Sequence, residues 1–532
     1  MSDRWISITR WAAPAAFLLA SCLWIDRPGP GPDEALFAQA LFPAPPGGPA
    51  WRVTLFGHEI PVMLMTYLGA LKAWLYVPVV RLFGTGPAAL RLPMLAAGAL
   101  TILVLFEWIR RWSGGLAAVW TSWLLALDPT FVWTTRCDWG PVALQRLLSV
   151  GGCALIWNWS RNGGWSRLFA GFFLFGLGLF DKLTFHWLLL AYAVAALAIG
   201  GRWALRQMRP TAIAIALAGF ALGAAPYLAY RVQGGGLTQP LELETRSEGY
   251  WQKWGMLLKT FEGTAARGFM IAWTAPASDG EEPPVHGSTA SLLPWAALAS
   301  LLLLPWTQDK PARFAAVVSA VALAEMVPIR DAGAVHHQAL IWPYPQLLVG
   351  ATVAYYASRQ GRRRRVALGA AGALLLSNIA TLASLYQDAL RLGGTVAWSE
   401  AAYSLADDLT ERRPRWAVSL DWGLDNPQRF LLAHDPPVQP LAFPWDWADR
   451  GTVEQLEHRI RQGGVVFLAL ADPAARAYRN TRTTALSRRP ASRLRTGARS
   501  HNRRPPRKRR FRDLRKHSRK STAKIGCGCQ TT

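Results

Sequence analysis

The sequence predicts an all-α polytopic membrane protein of about eleven transmembrane helices, with outer juxtamembrane helices and a small C-terminal α/β extramembrane unit. Three observations carry that expectation. Hydrophobic residues make up 51% of the 532 and charged residues only 17%, where a soluble domain carries about 25% charged. Mean hydropathy is positive, at +0.13. Apolar runs of about 20 residues recur as far as residue 386, each long enough to cross a bilayer core as a helix. The 5 cysteines form no Cys-x-x-Cys pair, so neither a disulfide framework nor a zinc site is implied.

By run length the spans fall at 5–25, 88–109, 115–134, 141–159, 167–180, 183–199, 210–231, 290–306, 311–329, 338–357 and 366–386. The first follows Arg4 and Arg10 as the core of a signal peptide would. No small-residue cleavage site closes it, so it reads as an uncleaved first helix with its N-terminus in the cytoplasm. The stretch 59–83 is apolar enough to span, yet His58, Glu59, Lys72 and Arg81 flank or interrupt it. Basic loops gather on the cytoplasmic side of membrane helices, and that rule decides its place. If 59–83 stays outside, Arg4/Arg10, Arg110/Arg111, Arg161/Arg167, Arg202/Arg206/Arg209, Lys310/Arg313 and Arg359 with Arg362–Arg365 share one side. If it crosses, every cluster after the first lands opposite. The segment is therefore expected at the outer surface, as one or more juxtamembrane helices.

The same count brings Asp33, Glu34, Asp138, Lys182, His336 and His337 to the outer face. Ionisable groups at membrane depth are costly and mark function, so their convergence on one face is the central expectation. Residues 232–289 form an outer loop whose Trp251 and Trp254 read as interfacial aromatics before a sugar platform. Residues 387–473 read as the small outer α/β unit, with strands at Ala417–Leu420 and Val465–Leu470 and a capping box at Thr452-Val453-Glu454-Gln455. Beyond Pro473 the composition breaks. Residues 474–532 hold about twenty Lys and Arg against one acid, Asp513, and account for most of the net charge of +25. Such a tail is expected to be disordered. It reads either as an electrostatic anchor for anionic lipid or polymer or as non-native sequence from a reading-frame error, which the unfinished unit before it favours. On the outer side it meets no nucleic acid.

Several segments, taken in order, resemble one family. Pro32-Asp33-Glu34-Ala35-Leu36-Phe37-Ala38, just after the first span, looks like the Asp-Glu motif of the C-type glycosyltransferase superfamily. The resemblance is nearest to glycosyltransferase family 39, the protein O-mannosyltransferases and lipid A aminoarabinose transferases. His58-Glu59-Ile60-Pro61 resembles the opening of their juxtamembrane helix, and Leu90-Arg91-Leu92-Pro93 their Arg-x-Pro entry to the second span. Thr135-Arg136-Cys137-Asp138 is similar to their second outer motif. Gly176-Leu177-Gly178-Leu179-Phe180-Asp181-Lys182 is similar to their Gly-rich helix ending in Lys, with Asp181 a departure. The likeness covers residues 1–200 well and 201–386 loosely. It implies a membrane domain over 1–386 that moves a sugar from a polyprenyl-phosphate donor to an acceptor hydroxyl, at the outer face of the inner membrane, in service of cell-envelope glycosylation.

The residues suit that chemistry. Transfer needs a base for the acceptor proton and groups to hold the leaving phosphate. Asp33 or Glu34 fits the base, and the resemblance favours Asp33; single displacement inverts the anomeric carbon. Lys182, Arg136 and His336 or His337 are the candidates for stabilising phosphate charge. Asp138 is a supporting residue. No cofactor is required, while a divalent metal near Asp138 and His336/His337 stays open. Partners are the polyprenyl-linked donor, a lipid, glycan or protein acceptor, and membrane lipids. Plainer roles stand beside these. Asp33 and Glu34 could serve a helix N-terminus, Asp138 could pair with Arg136, Lys182 with Asp181, and the His pair could be interfacial. A flippase or transporter of lipid-linked sugar, or a glycan ligase or polymerase, is the alternative function. A transporter is disfavoured because no internal repeat is evident.

Overall fold

Pro, Gly and Asp set where the apolar runs begin and end as helices. The computed structural model describes residues 3–40, 42, 51–207, 209–235, 243–271, 289–394, 398–419, 423–433, 439–441, 458, 461–462 and 465–468. Helix α1 (Asp3–Cys22) leads to the short α2 (Pro32–Gln39), then to an antiparallel sheet of β1 (Trp51–Leu55), β2 (His58–Met65) and β3 (Leu68–Gly69), then to α3 (Leu71–Phe83). The bundle continues through α4 (Pro87–Trp112), α5 (Gly115–Ala126), α6 (Pro129–Arg136), α7 (Val142–Asn162), α8 (Trp165–Asp181) and α9 (His186–Gly200). Next come α10 (Arg202–Gln207), α11 (Pro210–Gly223), α12 (Ala225–Val232), α13 (Ser247–Glu262) and α14 (Leu293–Thr307). They are followed by α15 (Lys310–Met326), α16 (Val335–Gln338), α17 (Tyr344–Ala357) and α18 (Arg362–Leu392). After them stand α19 (Ala401–Arg412), β4 (Trp416–Ser419), α20 (Asp425–Leu431), β5 (Gln439–Leu441) and β6 (Val465–Leu468).

A helix stands at each of the expected spans, but length and apolarity qualify fewer as crossings. Among the described residues three helices are long and apolar enough, Pro87–Trp112, Leu183–Gly200 and Arg362–Leu392, or up to five if each of two bent pairs counts as one. The bends have local causes. Asp128 caps α6, its Oδ1 accepting the Phe131 N–H at 2.8 Å, and Pro129 follows it, so α5 and α6 meet at 57°. α11 and α12 meet at 73°, with Pro226 in the first turn of α12. α8, α15 and α17 are 17, 17 and 14 residues long, short of the roughly 20 that a span needs. α7 is long enough but buries Gln145, Arg146 and Ser149.

Helices approach closely where side chains are smallest. A Cβ on Gly219 or Gly223 of α11 would collide with the backbone of Phe169 or Phe173 on α8, and one on Gly176 with Phe220. This small-xxx-small spacing lets two helices pack where lipid offers no hydrophobic drive. Leu217, Leu302 and Leu376, by contrast, are exposed apolar side chains, as a lipid-facing surface requires.

The expected juxtamembrane helix over 59–83 is corrected in its first half. Residues His58–Met65 are a strand, paired with β1 from Leu55↔His58 to Arg52↔Pro61, and the helix begins only at Leu71. Phe56 and Gly57 both take positive φ, 51° and 78°, the two-residue turn that suits a twisted hairpin. Near the C-terminus the order β5-β4-β6 makes a parallel sheet, with β4 and β6 where strands were expected. The Thr452–Gln455 capping box and residues 474–532 lie outside the described residues. This region is built onto α2. Phe430 of α20 is buried with Phe37, Asn426 donates to the Pro32 carbonyl at 3.1 Å, and the Trp398 indole fills the space that a Cβ on Gly31 would take.

Candidate active site

α2 sends its two adjacent carboxylates to different surroundings. Glu34 is fully buried and committed. Its Oε1 accepts the Gly31 N–H at 2.7 Å, and Arg91 grips it with Nη2 at 2.8 Å and Nε at 3.3 Å. Arg91 spends its other donors on the carbonyls of Ile25 at 2.6 Å and Gly29 at 3.1 Å. Glu34 thus fixes the start of α2 against α4 and the connection after α1.

Asp33 faces the other way and is half-buried. Its carboxylate accepts a hydrogen bond from Trp139, and its strongest charged neighbours are Lys182 and then Lys72. Burial pushes the Asp33 pKa above the ordinary carboxylate value, while Lys182, Lys72 and Trp139 pull it back.

Lys182 is held by its backbone. Where α8 ends, Lys182 turns extended and bridges to Leu68 of β3. The Leu183 N–H donates to the Tyr67 carbonyl at 3.0 Å, and Gln145 Nε2 donates to the Lys182 carbonyl at 3.0 Å. Its ammonium lies over Gly140, where φ is +77° and an added Cβ would stand 3.3 Å from Nζ. Among the described residues it makes no ion pair within 4.0 Å, with Asp181 or any other carboxylate.

Beneath this pair sits a closed one that sequence reasoning did not find. Lys72 of α3 is fully buried, with Nζ 2.7 Å from Asp138 Oδ2, 3.1 Å from the Gly140 carbonyl and 4.4 Å above the Phe37 ring. The other Asp138 oxygen accepts the Ala143 N–H at 3.0 Å, at the start of α7. The only signal for Lys72 was its presence in an otherwise apolar run.

His336 and His337 complete the recess. Their rings lie 4.0 Å apart; His336 is 4.8 Å from Trp139 and His337 5.4 Å from Trp187. Among the described residues neither Nδ1 atom has a hydrogen-bond partner. Burial, with Lys182 nearby, pushes both imidazoles down, His337 to about 3. They are neutral at neutral pH, so any help they give a phosphate is through N–H donation and not charge. Arg146 anchors the turn behind them, donating to the Ala339 carbonyl at 3.0 and 2.8 Å.

Arg136, expected on the phosphate, spends most of its donors on the backbone. Its buried guanidinium donates to the carbonyls of Ser21 at 2.7 Å, Arg27 at 2.6 Å, Leu23 and Trp24, and to the Tyr386 hydroxyl at 3.1 Å. It clamps the connection after α1 with both terminal nitrogens, leaving only its buried Nε without a partner among the described residues. The pairing of Asp138 with Arg136 is likewise replaced by the pairing with Lys72. Among the described residues no three His, Cys, Asp or Glu side chains, Asp138, His336 and His337 included, are grouped to hold an ion. Trp251 and Trp254 are exposed on α13, as interfacial aromatics are.

Residues 69–225 match the family described as Dolichyl-phosphate-mannose-protein mannosyltransferase. The whole architecture resembles ArnT from Cupriavidus metallidurans, in its undecaprenyl phosphate-bound structure at a TM-score of 0.53 and 14% identity over 92% of this chain and 95% of that one. The apo structure of the same protein gives a TM-score of 0.54 and 14% identity over 85% and 88%. The archaeal oligosaccharyltransferase AglB from Archaeoglobus fulgidus, in complex with an inhibitory peptide and a dolichol-phosphate, matches at 0.50 and 12% over 88% of this chain and 69% of that one. The chain has the C-type glycosyltransferase fold. No curated protein sequence matches it significantly. Within this C-type architecture, α2 and the 137–141 connection carry Asp33 and Trp139 to the end of the bundle where α8 delivers Lys182.

Proposed function

We propose that the protein is a glycosyltransferase that moves a sugar from a polyprenyl-phosphate donor to an acceptor hydroxyl, with inversion, at the outer face of the inner membrane. One observation carries the reading. Asp33 and Lys182 share a recess, and among the described residues neither is in an ion pair within 4.0 Å, whereas Glu34, Asp138, Lys72 and the terminal nitrogens of Arg136 are each held by partners. Asp33 takes the acceptor proton as its oxygen attacks the anomeric carbon. The bond from that carbon to the phosphate oxygen breaks, and Lys182 stabilises the departing polyprenyl phosphate, with His336 and His337 as neutral donors beside it. A base with a raised pKa is the stronger for it, provided it stays ionised. Lys72 and Asp138 shape the floor as a closed pair.

The basic clusters of the sequence support placing the recess outside, since they sit at the other ends of the helices that carry it. The match of residues 69–225 and the fold support the polyprenyl-linked donor. The deciding experiment uses proteoliposomes with a defined polyprenyl-phosphate sugar and a mixture of lipid, glycan and peptide acceptors. Formation of an inverted glycoside with release of polyprenyl phosphate is expected. Movement of the intact donor across the bilayer without cleavage would make the protein a transporter instead.

A further inference from the structure

At the end of the bundle away from Asp33 an apolar groove runs between α4 and α7 and ends on an excess of positive charge. Its volume is ≈ 570 Å³, and its walls include Leu100, Leu103 and Val104 of α4 and Gly151, Ala154 and Leu155 of α7. Leu100 is exposed and the other five are half-exposed, so the groove opens along the side of the bundle. At its mouth stand Arg10, Glu107 and Arg111. Glu107 is shared by three guanidinium groups: Arg10 at 3.0 Å, Arg110 at 2.9 Å and Arg111 at 3.7 Å. One carboxylate cannot neutralise three arginines, so among the described residues two positive charges are left over, on side chains that are each about half exposed. Trp112 and Trp157, 6.0 Å apart near the mouth, are the aromatics expected at a membrane–water boundary. By the distribution of basic residues this boundary is the cytoplasmic one.

We infer that the groove seats one anionic phospholipid, an acyl chain along Leu100–Val104 and Gly151–Leu155 and the phosphate on Arg10 and Arg111. An apolar channel alone would take any chain. The uncompensated arginines at one end select a negatively charged headgroup, as basic pockets between membrane helices do. The site does not touch Asp33 or Lys182, so it stands or falls apart from the proposed reaction.

The test is the unfolding temperature of the purified full-length protein in neutral detergent, titrated with phosphatidylglycerol or with phosphatidylcholine of the same chains. Phosphatidylglycerol is expected to raise it saturably by a few degrees and phosphatidylcholine not to, because a ligand that binds only the folded state stabilises it by mass action. Arg111→Gln and Arg10→Gln/Arg111→Gln should lose that shift. Ala154→Phe, which fills the groove and keeps the arginines, should lose it too. Equal shifts with both lipids, or a full shift retained in the arginine variants or in Ala154→Phe, overturns the inference. So does an arginine-dependent shift produced by polyprenyl phosphate and not by phosphatidylglycerol, which would give the groove to the donor's carrier.

Discussion

Asp33 and Glu34 are neighbours in sequence and opposites in the fold. Glu34 is enclosed by Arg91 and the Gly31 N–H; Asp33 is half-buried and shares its recess with Lys182, which makes no ion pair among the described residues. Successive residues on a helix point about 100° apart, so one turn of α2 serves two regions, a locked corner and a reactive recess. The same contrast divides the cations. Arg136 is held through both terminal nitrogens by carbonyls and Lys72 by Asp138, whereas among the described residues Lys182 makes no ion pair. A buried charge whose partners are all supplied by the protein holds structure; one left short of partners is ready for a ligand.

The contrast is broken most sharply at Asp33. A positioned general base is worth about 10²–10⁴-fold in rate, so Asp33→Asn should lose transfer by that factor and keep its unfolding temperature and donor binding. Near-wild-type turnover by this variant would move the base elsewhere, with Asp138 the next carboxylate in the recess.

Sequence carried the helical bundle and the gathering of Asp33, Lys182 and the His pair, because run length and the positive-inside rule are properties of single segments. It did not carry what depends on distant pairs. Lys72 meets Asp138 across 66 residues and Arg91 meets Glu34 across 57, and no local pattern announces either. The hairpin over 51–65 was hidden because its inner face joins an apolar run, so the alternation of strands read as the continuity of a helix. The contacts of Arg136 escape a sequence reading for a related reason: nothing in its neighbourhood shows that the carbonyls after α1 fold back to meet it.

Glu34 gives the next largest effect, in stability and not in chemistry. Glu34→Ala strands Arg91 in a buried site, and breaking a buried pair from one side costs about 3–5 kcal/mol. A clear drop in thermal unfolding temperature in detergent is expected, smaller for Glu34→Gln, which keeps an acceptor for Gly31. Unchanged unfolding together with lost transfer would give Glu34 a chemical role.

Lys182 comes third. Removing one preorganised stabiliser of developing charge costs roughly 10²–10³-fold in turnover. Because a phosphate is present before and after transfer, Lys182→Ala should also raise KM, and Lys182→Arg should restore part of both. A normal KM and turnover in Lys182→Ala would mean that the phosphate lies elsewhere, and the difference drawn between Lys182 and the paired Lys72 would be wrong.

The smallest effect sharpens the comparison most, because it is a shift and not a loss. Trp139 donates to the Asp33 carboxylate and so favours its ionised form, opposing the burial that raises its pKa. Trp139→Phe keeps a ring against His336 and Trp398 but removes the donor. The Asp33 pKa should then rise further. A general base works only when deprotonated, so activity present above that pKa is lost as pH falls through it, and the acid limb of the kcat/KM profile should move to higher pH. A hydrogen bond to a charged group contributes about 1.5–3 kcal/mol, and partial replacement by water brings the expected shift to about one pH unit, or ~1.4 kcal/mol. Well above the limb the rate should change little. The measurement is the pH profile of transfer at low donor concentration for both proteins. A limb that stays in place, or moves to lower pH, would show that the group titrating in the profile is not the carboxylate that Trp139 holds, and Asp33 would lose its claim to be the base even if Asp33→Asn is inactive.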